Sequence, residues 1–390
     1  MMNTVGSVAC RAAVTWDDHL GWSVEEVLVD GPRWGEVLVR VDAAGLCHTD
    51  ETLARGGYSE VTRPVVGGHE GAGVVMEVGP GVTHVAPGDR VVLCVPVPAC
   101  GYCIACMQGR SHLCERGALT GAGRQIGDGT SRHHARGRDL GIFVFLGTFA
   151  EYTVVAEASC LPYEADLVAR DVCTVACAGV TGWGSVQNTA QLRPGEIAVV
   201  AGVGGVGANA IMAARHLGAG QILAVDPLEP KRRRAGGFGA DEAVAGLEEA
   251  REVVGSWTQG RMADVVIMAM GTGDGTLLAD ALALVGKGGR VIIVNVHSSE
   301  ESSATVSLRD LQSYEKQVRG CLSGSWHGRT GARFLLDLHR RGHYDPSLIA
   351  GDSWALEQIG EGYAAQRDGR AIRSLLDPTI PGPVAANDHH

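Results

Sequence analysis

The stretch EIAVVAGVGGVGANAIMAARHLGAGQILAVD, residues 196–226, decides the fold. From Ile197 a near-continuous apolar run has the character of a strand buried on both faces of a parallel sheet. It enters Gly202-Val203-Gly204-Gly205-Val206-Gly207, continues as an amphipathic helix candidate, and returns as a second strand candidate ending at Asp226. A bare G-x-G-x-x-G is a weak signal. Strand, glycine turn, helix, strand and acid in this order, with 24 positions from Gly202 to Asp226, is the setting a dinucleotide site requires. The glycines permit a tight turn and let a pyrophosphate rest on the helix N-terminus. Asp226 can accept hydrogen bonds from the adenosine ribose hydroxyls and would repel a 2′-phosphate, so the expected cofactor is NAD(H) and not NADP. The basic run Lys231 to Arg234 reads as an exposed helix face, with Lys231 counted among the cofactor-binding candidates. Two more buried-strand signals, ADVVIMAMG (263–271) and GRVIIVNV (289–296), extend the sheet.

The chain of 390 residues exceeds one ordinary core, so two domains are expected. Fifty-six glycines, about twice the ordinary share, suit many tight turns. A net charge of −11 argues against nucleic acid as a partner. No charge-free apolar run reaches the ~18 residues of a membrane span. The opening MMNTVGSVACRAAV lacks the apolar core of a secretory signal. Eleven cysteines without such a leader imply a reducing compartment and a cytoplasmic protein.

Upstream, short apolar runs alternate with turn signals. VEEVLVDGPRWGEVLVRVDAAG (24–45) reads as two strands joined by a turn, and glycine-punctuated runs continue from Pro64 to Val92, giving a β-rich, barrel-like unit. Cys100, Cys103, Cys106 and Cys114 follow in the pattern C-x2-C-x2-C-x7-C. Four thiolates so spaced can close a tetrahedral shell around one zinc ion, leaving no open position for chemistry. The competing reading is a pair of disulfides. Cys47 in GLCHTDE and His69 in GGHEG are further metal candidates, with Cys173 and Cys177 competing as a third ligand. Adjacent His133 and His134 sit among Arg132, Arg136 and Arg138, which reads as a solvated loop. Beyond about residue 320 the pattern turns helical and polar and ends in IRSLLDP, and the tail PGPVAANDHH (381–390) shows no packing pattern.

Together these residues resemble the zinc-dependent alcohol dehydrogenases of the medium-chain dehydrogenase/reductase superfamily over about residues 8 to 378. Gly68, His69, Glu70, Gly73, Gly79 and Val82 meet GHE-x2-G-x5-G-x2-V, and Cys177 opens the segment C-x3-T-G-x-G-S. The resemblance implies an α/β architecture: a β-rich GroES-like catalytic domain (1–180 and 323–390, with a zinc lobe at 94–115) and a Rossmann domain (181–322) with a doubly wound parallel sheet. It implies two zinc ions per subunit, a catalytic one on Cys47, His69 and Cys177 and a structural one on the four-cysteine lobe, and it leaves Cys173 to the core. Asp50 would orient His69, with a helix cap as its plain alternative, and Glu70 would sit behind the metal. The metal would act as a Lewis acid on a primary or secondary alcohol, whose carbon passes hydride to NAD; the reverse reaction reduces an aldehyde or ketone. Thr49 matches the residue that takes the alcohol proton, Thr181 one that packs on the nicotinamide, and His48 and Arg373 cationic positions at the pyrophosphate. Glu51 stands where the family often carries a histidine at the outer end of the proton relay. Leu53, Pro96, Phe143, Phe145, Phe149 and Val296 are candidates for the walls around substrate and nicotinamide.

The long connection between Cys114 and Gly147 resembles that of animal-type and glutathione-linked members, which are usually dimers. AVDPLEPKR (224–232) and DGTSRHH (128–134) resemble an actinobacterial nicotinoprotein branch that keeps NAD bound and passes electrons to an external acceptor. A glutathione-dependent formaldehyde dehydrogenase is the alternative within enzymes, and a non-catalytic NAD- and zinc-binding scaffold the one outside them.

Overall fold

The computed structural model describes residues 6–18, 20–95, 99–164, 166–271, 275–296 and 303–382. Three sheet systems organise them. Strands Val8–Thr15, Ser23–Val29, His133–Ala135, Arg138–Ile142 and Val65–Val66 close into a small barrel. A second sheet runs in the order Cys160–Pro162, Arg90–Leu93, Gly71–Val78, Glu36–Gly45, Arg373–Leu376 and Ala350–Trp354, with Tyr152–Ala156 also paired to Glu36–Gly45. The two strands expected from residues 24–45 both form, but they enter different sheets and do not pair with each other.

The third sheet is six-stranded, in the order Glu242–Val244, Gln221–Val225, Ile197–Ala201, Ala263–Met268, Val285–Ile293 and Gln317–Gly320, every pair parallel. Ile197–Ala201 is the first strand of this sheet and lies at its centre, so the chain winds outward from it in both directions. Ligands of such sheets bind at that reversal, beyond the C-terminal ends of the strands. Two glycines make the reversal possible. Gly202 has φ +96, and a Cβ there would press within 2.7 Å of the Ala269 backbone. A Cβ on Gly207 would lie 1.7 Å from the Gly202 carbonyl oxygen, so the helix Gly205–His216 can pack this close only with glycine there.

One expectation fails here. The basic loop around His133 is a β-hairpin, and Arg132 within it has a fully buried side chain. Its Nη2 donates to Glu36 Oε1 and Asp128 Oδ2, both at 2.7 Å, and its Nε donates to Glu36 Oε2 at 2.8 Å. A charge paired this completely can leave water. His133 is buried too, and desolvation pushes its pKa down to about 3. Only Arg136 and Arg138 behave as expected, lying over the Trp16 ring at the surface. Glu36→Ala leaves the buried Arg132 guanidinium with Asp128 as its one remaining carboxylate among the described residues, and a loss of about 3 kcal/mol in unfolding free energy is expected by denaturant titration.

The expected helices form at Gly328–Arg340 and Ile359–Arg367, and the closing IRSLLDP leaves them for the sheet. Arg373–Leu376 is a fully buried strand antiparallel to Glu36–Gly45, with Leu375 opposite Gly45 and Leu376 opposite Ala44. It carries Arg373 to the place where Glu36–Gly45 ends, beside Cys47. Among the described residues no helix is long and apolar enough to cross a membrane.

Candidate active site

Strand Glu36–Gly45 delivers Cys47, which stands extended (φ −95, ψ 147) as N-cap of the helix His48–Ala54. Asp50, in the first turn, is fully buried and caps nothing. Its Oδ1 accepts the Gly68 N–H at 2.9 Å, and its Oδ2 lies 3.0 Å from His69 Nδ1. The His69 ring is thereby aimed with Nε2 outward, 3.3 Å from Cys177 Sγ. Cys177 sits in a π-helical turn, Val175–Gly179, where the Gly179 N–H reaches back five residues to the Thr174 carbonyl at 3.1 Å. Such turns re-aim a side chain without ending the helix. Cys173 turns instead to the Arg170 carbonyl at 3.4 Å within the core, and burial pushes its thiol up.

One donor atom each from Cys47, His69, Glu70 and Cys177 lies within 4.8 Å of the others. The Cys47 thiol is held well below the ordinary range, first by the hydrogen bond from Cys177, then by Arg373 and His69 against the effect of burial. Burial pushes the Glu70 carboxyl up to about 7, opposed by the Arg373 guanidinium 3.4 Å away. Both Glu70 carboxylate oxygens are buried without a hydrogen-bond partner. Such a group is costly unless a cation or donor joins it. Two sulfurs, an imidazole nitrogen and an orphaned carboxylate are a donor set that suits zinc.

The sulfurs of Cys100, Cys103, Cys106 and Cys114 form a second cluster within 4.8 Å. Cys100 Sγ and Cys106 Sγ are 4.0 Å apart and all the cysteines are free, so the disulfide reading fails. The Cys103 thiol lies near 6, lowered first by the Glu115 backbone N–H and then by that of Cys106. The Cys114 thiol is also held low, whereas that of Cys106 is pushed up against the pull of the Gly101 backbone by burial and the neighbouring sulfurs, and four sulfurs this close suit a metal. Among the described residues no third group of metal-ligating side chains comes together.

Cys47 and Thr49 also line a cavity of about 570 Å³ that runs to Gly202, Gly204, Gly205 and Val206 and on to Asp226 and Lys231. Thr49 Oγ1 is 3.5 Å from Cys47 Sγ. Asp226 accepts the Val203 N–H at 2.8 Å on Oδ2 and the Leu228 N–H at 2.9 Å on Oδ1, which fix the carboxylate at the end of its strand. Lys231 does not belong to the exposed helix face; it is 8% exposed, whereas Arg233 and Arg234 are out in solvent. Arg373 lines the cavity, donates from Nη1 to the Leu46 carbonyl at 2.8 Å, and keeps a buried Nε without a partner. A Cβ on Gly205 would meet Arg373 Nη2 at 2.7 Å, so the guanidinium lies directly on the helix N-terminus. His48 lines the cavity, where burial pushes its pKa down from the ordinary imidazole range.

Other expected residues stand elsewhere. Gly207 serves the packing described above, and Thr181, half-buried one turn after Cys177, is not among the lining residues. Glu51 faces away: its Oε1 accepts from Arg55 Nη2 at 2.7 Å and from Arg367, and it does not line the cavity. Thr52 does, together with Gln366 and Arg367, all three missed in the sequence. Helical spacing carries a signal for Thr52, since positions 48, 49 and 52 share one face and 51 and 55 another. Of the wall candidates only Val296 lines this cavity, whereas Leu53 and Phe143 pack together, Phe143 edge-on to His69 with centroids 5.7 Å apart. Phe149 is fully buried against Trp22, Phe145 is 3% exposed, and Pro96 lies outside the described residues.

Residues 33–165 match the alcohol dehydrogenase GroES-like domain, and residues 205–337 match the zinc-binding dehydrogenase domain. The chain is 40% identical over 367 residues to an NDMA-dependent alcohol dehydrogenase from Amycolatopsis methanolica, covering 94% of this chain and 98% of that one. It is 36% identical over 366 residues to alcohol dehydrogenase B of Mycobacterium tuberculosis, covering 94% and 97%. Among solved structures it resembles an alcohol dehydrogenase zinc-binding domain protein from Burkholderia ambifaria, with TM-score 0.87, 30% identity and coverage of 96% and 100%. Benzyl alcohol dehydrogenase from Acinetobacter calcoaceticus is also similar, with TM-score 0.86, 25% identity and coverage of 95% and 99%. The chain therefore belongs to the zinc-binding alcohol dehydrogenases of the medium-chain dehydrogenase/reductase superfamily.

Proposed function

We propose that this alcohol dehydrogenase holds two zinc ions per subunit and uses NAD(H) at the cavity beside one of them. The carrying observation is that Cys47 and Thr49 line the same cavity as the glycine turn and Asp226. Residues 181–322 would hold the nucleotide, and the remainder of the chain the metals. Cys47, His69 and Cys177 would hold the reacting zinc, with Glu70 as a further donor, and the four-cysteine lobe the structural one. The bound zinc supplies a Lewis acid that makes an alcohol hydroxyl more acidic, and the nicotinamide supplies the hydride acceptor.

The chain does the rest by placement. Asp50 keeps the proton on His69 Nδ1, leaving Nε2 as a ligand lone pair. Thr49 would accept the substrate proton at its hydroxyl while passing its own on towards the nicotinamide ribose. The amides at Gly204 and Gly205 and the unpartnered Arg373 Nε face the pyrophosphate, and Asp226 accepts from the ribose hydroxyls. Asp50→Asn keeps the shape and loses the negative charge behind His69, so about a 10- to 100-fold fall in zinc affinity or turnover is expected, read by chelator competition and initial rates.

A second reading is favoured by the 40% identity to the NDMA-dependent relative: NAD stays bound and an external acceptor takes the electrons. Denaturing desalted protein and quantifying released NAD(H) separates the two. Near-stoichiometric nucleotide supports the bound-cofactor form, and its absence supports an exchangeable cosubstrate. Efficient oxidation of hydroxymethylglutathione over plain alcohols would favour the glutathione-linked alternative. A cytoplasmic homodimer is part of the proposal, supported by the branch likeness, and sedimentation of the purified protein tests the dimer.

A further inference from the structure

Glu51 and Arg367 are 316 positions apart and meet in an ion pair between the helices His48–Ala54 and Ile359–Arg367. Arg367 lines the cavity; Glu51 does not. The Glu51 side chain is 13% exposed and that of Arg367 44%, so the carboxylate lies behind and the guanidinium in front. The same carboxylate oxygen accepts from Arg55 at 2.7 Å, so one negative charge serves two guanidiniums and the trio keeps a net positive charge. Among the described residues Glu51 is the one hydrogen-bond partner of the Arg367 guanidinium, and its remaining N–H groups are uncommitted.

The other fixed cations on this wall already face acids. Lys231 is set against Asp226, and Arg373 stands 3.4 Å from Glu70. A dinucleotide brings two phosphate charges to the cavity. A guanidinium held in place by a carboxylate behind it is a good partner for phosphate, because its fork geometry is set before the ligand arrives.

We infer that Arg367 is a phosphate-binding residue for the dinucleotide, positioned by Glu51, and that Glu51 is an anchor for this arginine and not a proton acceptor. The inference rests on the cofactor reading above. It gives the departure at position 51 a physical sense, since a histidine there could not hold an arginine in this way at neutral pH.

The test uses the intact protein and three probes, NADH, ADP and adenosine, with dissociation constants from nicotinamide fluorescence and its displacement. Arg367→Ala is expected to weaken NADH and ADP by about tenfold, the equivalent of about 1.4 kcal/mol, and to leave adenosine unchanged. Arg367→Lys keeps the charge without the fork and should fall between wild type and Arg367→Ala. Glu51→Gln should weaken ADP by about threefold, with the loss shrinking as salt screens the cluster. Thermal melting of each variant should match wild type, because the pair is exposed on one side. ADP binding unchanged by Arg367→Ala, or an equal loss of adenosine, would overturn the inference alone. Wild-type protein that releases no nucleotide on denaturation and binds neither NADH nor ADP would overturn the cofactor reading and this inference with it.

Discussion

Cys47→Ser is expected to abolish alcohol oxidation, by about a thousandfold or more, while the protein stays folded and keeps the zinc proposed for its lobe. The size follows from what the residue does. Cys47 is N-cap and cavity wall and, on the proposed reading, a metal donor, and its thiol is held low by Cys177, Arg373 and His69. Serine keeps the cap and nearly the volume but offers a hydroxyl that does not ionise near neutral pH, so the donor set loses a negative charge and a soft ligand. A Lewis acid that acidifies a hydroxyl contributes several kcal/mol, and a thousandfold is about 4 kcal/mol. Zinc content should fall from two ions to about one, with unchanged thermal melting. Wild-type turnover in this variant, on every alcohol that wild type oxidises, would refute the assignment.

Cys103→Ser has the opposite signature. Cys103 caps the short helix Ile104–Met107 by accepting the Cys106 N–H at 3.5 Å, and its sulfur belongs to the second cluster. The lobe has little apolar core; its buried hydrophobic cluster is made of the cysteines themselves and Ala105. On the two-zinc proposal metal binding is therefore its folding energy, apparent values for comparable small sites being ~10–16 kcal/mol. Losing one thiolate is expected to release the ion, lower the melting temperature or cause aggregation, and open residues 94–115 to proteolysis. Two zinc ions per subunit together with an unchanged melt would show that Cys103 holds no metal and would refute the structural-zinc assignment.

These two cysteines differ in how legible they were. The lobe was readable because its four ligands fall within 15 residues, so local spacing carries the geometry. The first site draws on residues that only the fold brings together. Cys173 and Cys177 are four apart and equivalent to a helical pattern; a π-turn and the His69 ring separate them. The central parallel strands were legible from their apolar runs and glycine turn. The edge strand Gln317–Gly320 was not, because QVRG is largely exposed and takes its form from pairing with Val285–Ile293. Charge misled the reading twice. Arg132 looked solvated, yet Glu36, 96 positions away, pairs with it in the interior. Lys231 looked exposed, yet it is buried in the cavity wall beyond Asp226. Long-range partners of charged groups leave no local pattern.

The most direct test of the central claim is metal analysis of untreated, desalted wild-type protein beside its Cys47→Ser variant, with alcohol oxidation measured on the same samples. The account expects two zinc ions and activity in the first, and one zinc and no activity in the second. Equal zinc content and equal activity in both would contradict a reacting metal on Cys47, His69 and Cys177.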